Sequence, residues 1–310
     1  MKIELSHDTG IKLNSMKHSK LTLGKYVLAV SGGVDSMVLL DLLVRQKGLE
    51  LVVAHFNHGI RDDAGEDEKL VTQTAKKLGL PIEVGRARLG KGASEAAARE
   101  ARYKFLGKVR QKHRAAAIIT AHHQDDLLET ALLNILRGSG RRGLTAMQHN
   151  PKIMRPLLNT PKADILAYAK RRKIKWREDE TNKDLRYRRN YLRAKVLPRL
   201  TAHERTRLLK LIKDLAASGL ALDNALAPLA TKIQTRSGIN RSLFSLLPTE
   251  IANELTAYFL RAEGFRQFDK PTIQRLALAI KTAPAGSQHD VGGRLKLKLT
   301  TEVARFELRG

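Results

Sequence analysis

The sequence predicts an α/β protein: a doubly wound parallel sheet, then a smaller, mostly helical C-terminal domain that ends in short strands. Three observations carry this. From Tyr26 to Arg137, short apolar runs alternate with longer amphipathic segments, the pattern of strands buried on both faces and joined by helices. From Pro161 onward helical periodicity dominates. Sheet-like alternation returns only near the end, around Gly292-Gly293.

Taken in order, 26–30, 51–56, 82–84 and 116–120 read as strands, and 36–47, 64–78, 94–113 and 125–137 as helices. Gly48, Gly79-Leu80-Pro81 and Gly138-Ser139-Gly140 supply the stops. Helices are expected over 161–172, 187–200 and 203–233, and strands over 289–291, 294–299 and 304–308. These elements divide into an N-terminal extension (1–24), an α/β domain (25–212) and a smaller C-terminal domain (213–310). No internal repeat or low-complexity tract is visible.

Composition narrows the function. The 310 residues include no cysteine, which excludes disulfides, thiolate metal sites and thiol nucleophiles. No stretch approaches the roughly 18–20 apolar residues of a membrane span, and no apolar leader follows the first basic residues, so a cytoplasmic location with no membrane partner is expected. The net charge of +26 points to an anionic partner. It is concentrated: between Arg137 and Lys210, 22 lysines and arginines stand against 6 acids. With only 5% aromatic residues, the chain suits phosphate tracking along folded RNA better than base stacking.

Ser31-Gly32-Gly33-Val34-Asp35-Ser36 lies directly between the first strand and its helix. Two glycines allow close backbone approach to an anion, and the helix start offers free N–H groups. A carboxylate among phosphates calls for a divalent cation between them, so Asp35 is the candidate metal residue. The loop is neither Gly-x-x-x-x-Gly-Lys-Ser/Thr nor Gly-x-Gly-x-x-Gly, and contains no lysine.

Three further blocks carry candidate site residues, and the one that closes the second strand faces the same crevice as the loop if the sheet is doubly wound. His55-Phe56-Asn57-His58-Gly59-Ile60-Arg61 closes the second strand. Glu95, Arg99 and Arg102 share one helical face. His122-His123-Gln124-Asp125-Asp126-Leu127-Leu128-Glu129 opens the helix after the fourth strand, and Asp126 and Glu129 project from one side of it. Two carboxylates with an imidazole suit binding of a cation and removal of its proton. Arg155-Pro156-Leu157-Leu158 follows, and later Arg186, Arg189 and Arg193 form a basic stripe, with Arg188 and Asn190 between them.

In order and spacing these blocks resemble the tRNA(Ile)-lysidine synthetase family of the ATP pyrophosphatase (PP-loop) superfamily. The resemblance covers about residues 25–200 and includes Leu136-Arg137-Gly138-Ser139-Gly140 and Glu178-Asp179-Glu180-Thr181-Asn182. The chain departs from the family's frequent residues at Asn57, Leu127 and Thr181, and resembles a short form without a further C-terminal domain. What the resemblance implies is an adenine nucleotide alpha hydrolase-like sheet and a two-step ligation. The 2-carbonyl oxygen of the wobble cytidine in a CAU-anticodon isoleucine tRNA attacks the α-phosphate of ATP, and pyrophosphate leaves. The ε-amine of free L-lysine then displaces AMP to give lysidine.

Carried onto these residues, Ser31, Gly32, Gly33, Val34, Asp35, Ser36, His55 and Asn57 would bind ATP, with Mg²⁺ on Asp35. Arg102 would stabilise the activated intermediate, and Asp126 and Glu129 would bind lysine, with His122 or one of the carboxylates as base. Arg186, Arg188, Arg189, Asn190 and Arg193 would contact tRNA. The family resemblance also allows a homodimer. The competing expectations are another cysteine-independent PP-loop enzyme of tRNA, a metabolite amidating enzyme, or a basic RNA-binding protein with a vestigial ATP site.

Overall fold

The computed structural model describes residues 21–59, 64–87, 90, 95–137, 139, 141–147, 152–178, 185, 188–265, 268–293 and 295–308. The chain divides into two compact units. The first runs up to Leu133 and resumes over Ala146–Leu209; the second comprises Asn134–Thr145 and Lys210–Gly310.

In the first unit, β1 (Gly24–Ala29), α1 (Val34–Val44), β2 (Leu49–Asn57), α2 (Ala64–Lys77), β3 (Ile82–Arg86), α3 (Glu95–Lys112), β4 (Ala117–Ile119) and α4 (Gln124–Leu136) alternate as the sequence predicts. After the four-residue α5 (Arg141–Leu144) comes a strand the sequence did not announce, β5 (Ile153–Met154). The five strands are parallel in the order β3-β2-β1-β4-β5, so the order reverses between β1 and β4. Ligands bind at such a switch point, beyond the carboxyl ends of the strands.

Alternation along each strand explains the two-sided burial. Tyr26, Leu28, Leu51 and Val53 pack with α1 and with Ile165, Tyr168 and Ala169 of α6 (Lys162–Arg171). Val27, Val52, Ala54 and Ile118 point to the other face, against Leu106 and Val109 of α3. Tyr168 also donates to Asp41 at 2.7 Å; burial and that bond push its phenol up to about 12. The single helix expected over 187–200 is instead α7 (Arg188–Tyr191), a π-helical turn over Leu192–Val196 and a 3₁₀ turn over Leu197–Arg199. Pro198 has no N–H to continue the ladder, and the backbone tightens there.

α8 (Ala202–Ile233) carries the chain across the division at Leu209. The second unit then builds a sheet in the order β6-β7-β10-β9-β8, from β6 (Gln234–Thr235), β7 (Gly238–Asn240), β8 (Gln288–Gly292), β9 (Leu295–Leu299) and β10 (Val303–Leu308). Each neighbouring pair in it is antiparallel. The last three strands were predicted; the β6–β7 hairpin was not. Gly238 permits it: at φ +140°, a Cβ there would sit 2.5 Å from the Ala304 carbonyl oxygen.

Between them lie α9 (Arg241–Ser245), α10 (Thr249–Ala262) and α11 (Lys270–Thr282). Asn240 and Asp269 cap α9 and α11 by accepting from Leu243 N and Thr272 N. Leu255, Leu260, Leu276 and Ile280 bury against Leu297 and Ala304 of the sheet. Within this unit Arg141 pairs with Asp223 at 3.3 Å and Glu254 at 2.7 Å, and Arg142 with Asp223.

Candidate active site

The loop after β1 is held in shape by its own serines. Ser36 donates to Gly33 O at 2.9 Å and accepts from Ser31 N at 3.1 Å. Gly32 has φ +95°, a conformation that side chains disfavour, and its carbonyl accepts from Arg177 N at 3.0 Å. Gly33 is the extended N-cap of α1, so the first amides of that helix lack an earlier helical carbonyl and face outward as anion donors. Asp35 sits in this first turn. Its Oδ1 is held by Lys162 Nζ at 2.5 Å, and its Oδ2 lies 3.7 Å from His123 Nε2. The loop itself has no lysine, but the fold brings one from the start of α6.

At the end of β2, His55 Nδ1 contacts Val30 O at 2.9 Å, and its Nε2 is buried without a partner among the described residues. Burial lowers its pKa, so it is a neutral imidazole tying β2 to β1. Asn57 accepts from Gly59 N at 2.9 Å. Ile60 and Arg61 lie outside the described residues. On α3, Arg102 is half-buried with its guanidinium carbon 5.3 Å from the Tyr103 ring centre.

Past β4, His123 is 4% exposed and lies 3.5 Å from Asp126 Oδ2, so one imidazole spans Asp35 and Asp126. The His123 amide also donates to Asp126 at 2.9 Å. Burial pushes the Asp126 carboxyl up, but the two imidazoles and this amide outweigh it and hold it low. Glu129 is fully buried, and that burial raises its pKa in spite of its arginine partners. Arg193 clasps it with Nε–Oε1 at 2.7 Å and Nη2–Oε2 at 3.0 Å, and reaches Asp126 Oδ1 at 3.1 Å. Arg189 lies 3.4 Å from Glu129 and donates to Thr130 at 3.2 Å. Arg205 takes Asp125 at 2.9 Å.

These contacts change how the basic stripe reads. Arg189 and Arg193 turn inward to carboxylates, and Asn190 is buried. Arg188 is exposed, together with Lys195 and Arg199 further along, and Arg186 lies outside the described residues. His122 contacts Thr120 Oγ1 at 2.8 Å. Burial, reinforced by Arg155, Arg102 and Arg99 against the opposing Asp126, lowers its pKa to about 3. That makes it a poor proton acceptor.

Lys162, His123, Arg177 and Arg205 are the site residues that sequence reasoning missed. His123 alone carried a signal, as the second histidine of its block. Beside the loop, a cavity of about 490 Å³ lies between α2 and 174–177, lined by Lys69, Gln73, Trp176 and Arg177 among others. The charged groups described above converge elsewhere.

A parallel sheet with a serine-glycine anion nest at its switch point defines a PP-loop domain, and the model of the PP-loop domain family matches residues 5–200. Among curated relatives, a tRNA(Ile)-lysidine synthase of Actinobacillus pleuropneumoniae is 42% identical over 188 residues, covering 59% of this chain and 44% of the relative. One from Thermus thermophilus is 43% identical over 180 residues, covering 56% and 35%. One from Bradyrhizobium diazoefficiens is 33% identical over 318 residues, covering 92% of this chain and 87% of that relative. The chain belongs to the tRNA(Ile)-lysidine synthase family of PP-loop proteins. It spans less than half the length of the first two relatives. A solved U34-tRNA thiolase of Methanococcus maripaludis shares the fold, with a TM-score of 0.56 at 15% identity over 68% of this chain and 78% of that one.

Proposed function

We propose that the protein ligates L-lysine to the wobble cytidine of CAU-anticodon isoleucine tRNA, with conversion of ATP to AMP and pyrophosphate. The observation that carries this is the continuity from Asp35 through His123 to Asp126. It brings the anion nest beside the acidic first turns of α4, a pair of carboxylates that would take a cation. The absence of cysteine leaves no thiol for a sulfur-transfer alternative.

The nest amides, held in place by Ser31 and Ser36, would hold the phosphates of ATP while the cytosine 2-oxygen attacks the α-phosphorus. Arg102 and the Lys162 ammonium would offset the charge that grows on the phosphoryl oxygens. Among the described residues no cluster of three or more histidines and acids could hold a metal by itself. One carboxylate facing substrate phosphates still fits Mg²⁺, which keeps waters and few protein ligands, and the Asp35 Oδ2 edge is the donor available. Bound there, Mg²⁺ would offset charge on the phosphates.

Lysine reaches the site as an ammonium with pKa about 10.4, so freeing its lone pair at pH 7 costs roughly 4–5 kcal/mol. Carboxylate oxygens retain acceptor sites beside arginines, so Asp126 and Glu129 would receive the ammonium next to Arg193 and Arg189. Glu129, with its raised pKa, is then better placed than His122 to take the proton. The exposed Arg188, Lys195 and Arg199 offer phosphate contacts to the RNA. Pyrophosphate release from ATP is the test. It should require both the tRNA and lysine; release of ADP and orthophosphate, or release independent of tRNA, would overturn the proposal.

A further inference from the structure

The Arg155-Pro156-Leu157-Leu158 block has no part in the chemistry above, yet its arginine is among the most buried charged residues of the first unit. Arg155 follows β5, is 7% exposed, and donates through Nη1 to Met147 O at 2.8 Å. Its Nε makes no hydrogen bond among the described residues. Facing it from α3, Arg99 and Arg102 place their guanidinium carbons 4.9 and 5.3 Å from the Tyr103 ring centre. Arg102 Nε is likewise buried without a hydrogen-bond partner among the described residues, and the Tyr103 hydroxyl is a hydrogen-bonding neighbour of both guanidiniums.

Buried arginines are ordinarily paired with a carboxylate. Among the described residues, the groups that act most on Arg102 and Arg155 are Tyr103 and other arginines. Burial and mutual repulsion lower both guanidinium pKa values. The cluster therefore has the form of a socket whose anion arrives from outside, and a guanidinium fork fits the two free oxygens of a phosphate. The proposed reaction brings three anions. ATP has the nest on β1, and lysine contributes a single carboxylate at the end of a flexible chain. The RNA cannot present a nucleoside to this crevice without its flanking phosphates entering beside it.

We propose that Arg155 and Tyr103 seat a backbone phosphate of the RNA substrate next to the reacting nucleoside. This rests on the ligation reading only in taking RNA as the substrate. Equilibrium binding of a CAU-anticodon isoleucine tRNA transcript, without ATP or lysine and across a salt series, tests it independently of catalysis. Arg155→Gln should weaken binding about tenfold or more. It should also make the log–log salt slope shallower by about 0.7–0.9, with ATP affinity unchanged. Tyr103→Phe keeps the ring and every charge, so it should weaken RNA binding several-fold with the slope intact. If Arg155→Gln does not fold, Tyr103→Phe and Arg155→Lys, with melting temperatures checked against the parent, decide the matter. Parental RNA binding in these variants, or a loss confined to ATP or lysine affinity, overturns the socket alone. A parent protein that binds no RNA overturns the ligation reading as well.

Discussion

At the β1–α1 joint the N-cap is Gly33 and the first helical turn holds Val34 and one acid, Asp35; at the neighbouring β4–α4 joint it holds Asp125 and Asp126, with Glu129 one turn on. Both joints sit at the switch point of one sheet, and both helices offer the same partial positive charge. At the first, serines satisfy the loop internally and leave amides for a foreign anion. At the second, acids fill the helix start and arginines 193 and 205 fill the acids. A strand–helix joint therefore has no fixed charge preference; the residues of its first turn decide which substrate group it can receive.

The sharpest way to break this contrast is Asp35→Ala, which removes the one acid of the anion joint. Pyrophosphate release should fall about 100- to 1,000-fold, read in the tRNA- and lysine-dependent assay, with the fold kept by circular dichroism.

A pH series probes the second joint. His122 has a folded pKa of about 3 against an ordinary 6.5, so the unfolded chain binds the extra proton between those values. Stability is then complete above about pH 6.5 and lost as pH falls toward 3, by about 2 kcal/mol between pH 7 and 5. Urea unfolding at the two pH values should show that difference shrinking in His122→Gln. Glu129 has the opposite sign: its raised pKa removes stability as pH climbs through that value.

A kinetic experiment separates the joints directly. Asp126→Ala should raise the KM for lysine about tenfold and leave ATP binding in place; an unchanged lysine KM would remove Asp126 from the cation pocket. The smallest effect is expected far from both joints. Tyr168→Phe deletes a hydrogen bond to the Asp41 carboxylate and should cost about 1–2 kcal/mol of stability, with kcat unchanged.

How much of this was legible depended on chain distance. The nest is written in six consecutive residues, and its glycines and serines fold onto one another, so local chemistry was enough. The four longer strands of the first sheet show apolar runs, whereas β5 has two residues and no period to detect. The stripe of Arg189 and Arg193 was visible, but its direction was not. A row of like charges looks the same whether it faces solvent or a buried glutamate 64 positions earlier in the chain. Lys162 meets Asp35 across 127 residues, and Arg155 meets Tyr103 only because β5 lies beside β4; neither spacing leaves a trace in the sequence. The β6–β7 hairpin escaped because Gly238 serves a close approach to Ala304 rather than a familiar turn pair.

The grouping of Asn134–Thr145 with residues beyond Leu209 has a practical corollary for anyone shortening this chain. A stop codon placed at the division would not isolate the nucleotide-binding portion cleanly. It would strand a central dozen residues whose arginines 141 and 142 had lost Asp223 and Glu254. Such a fragment should be judged by its solubility before any missing activity is blamed on lost RNA contacts.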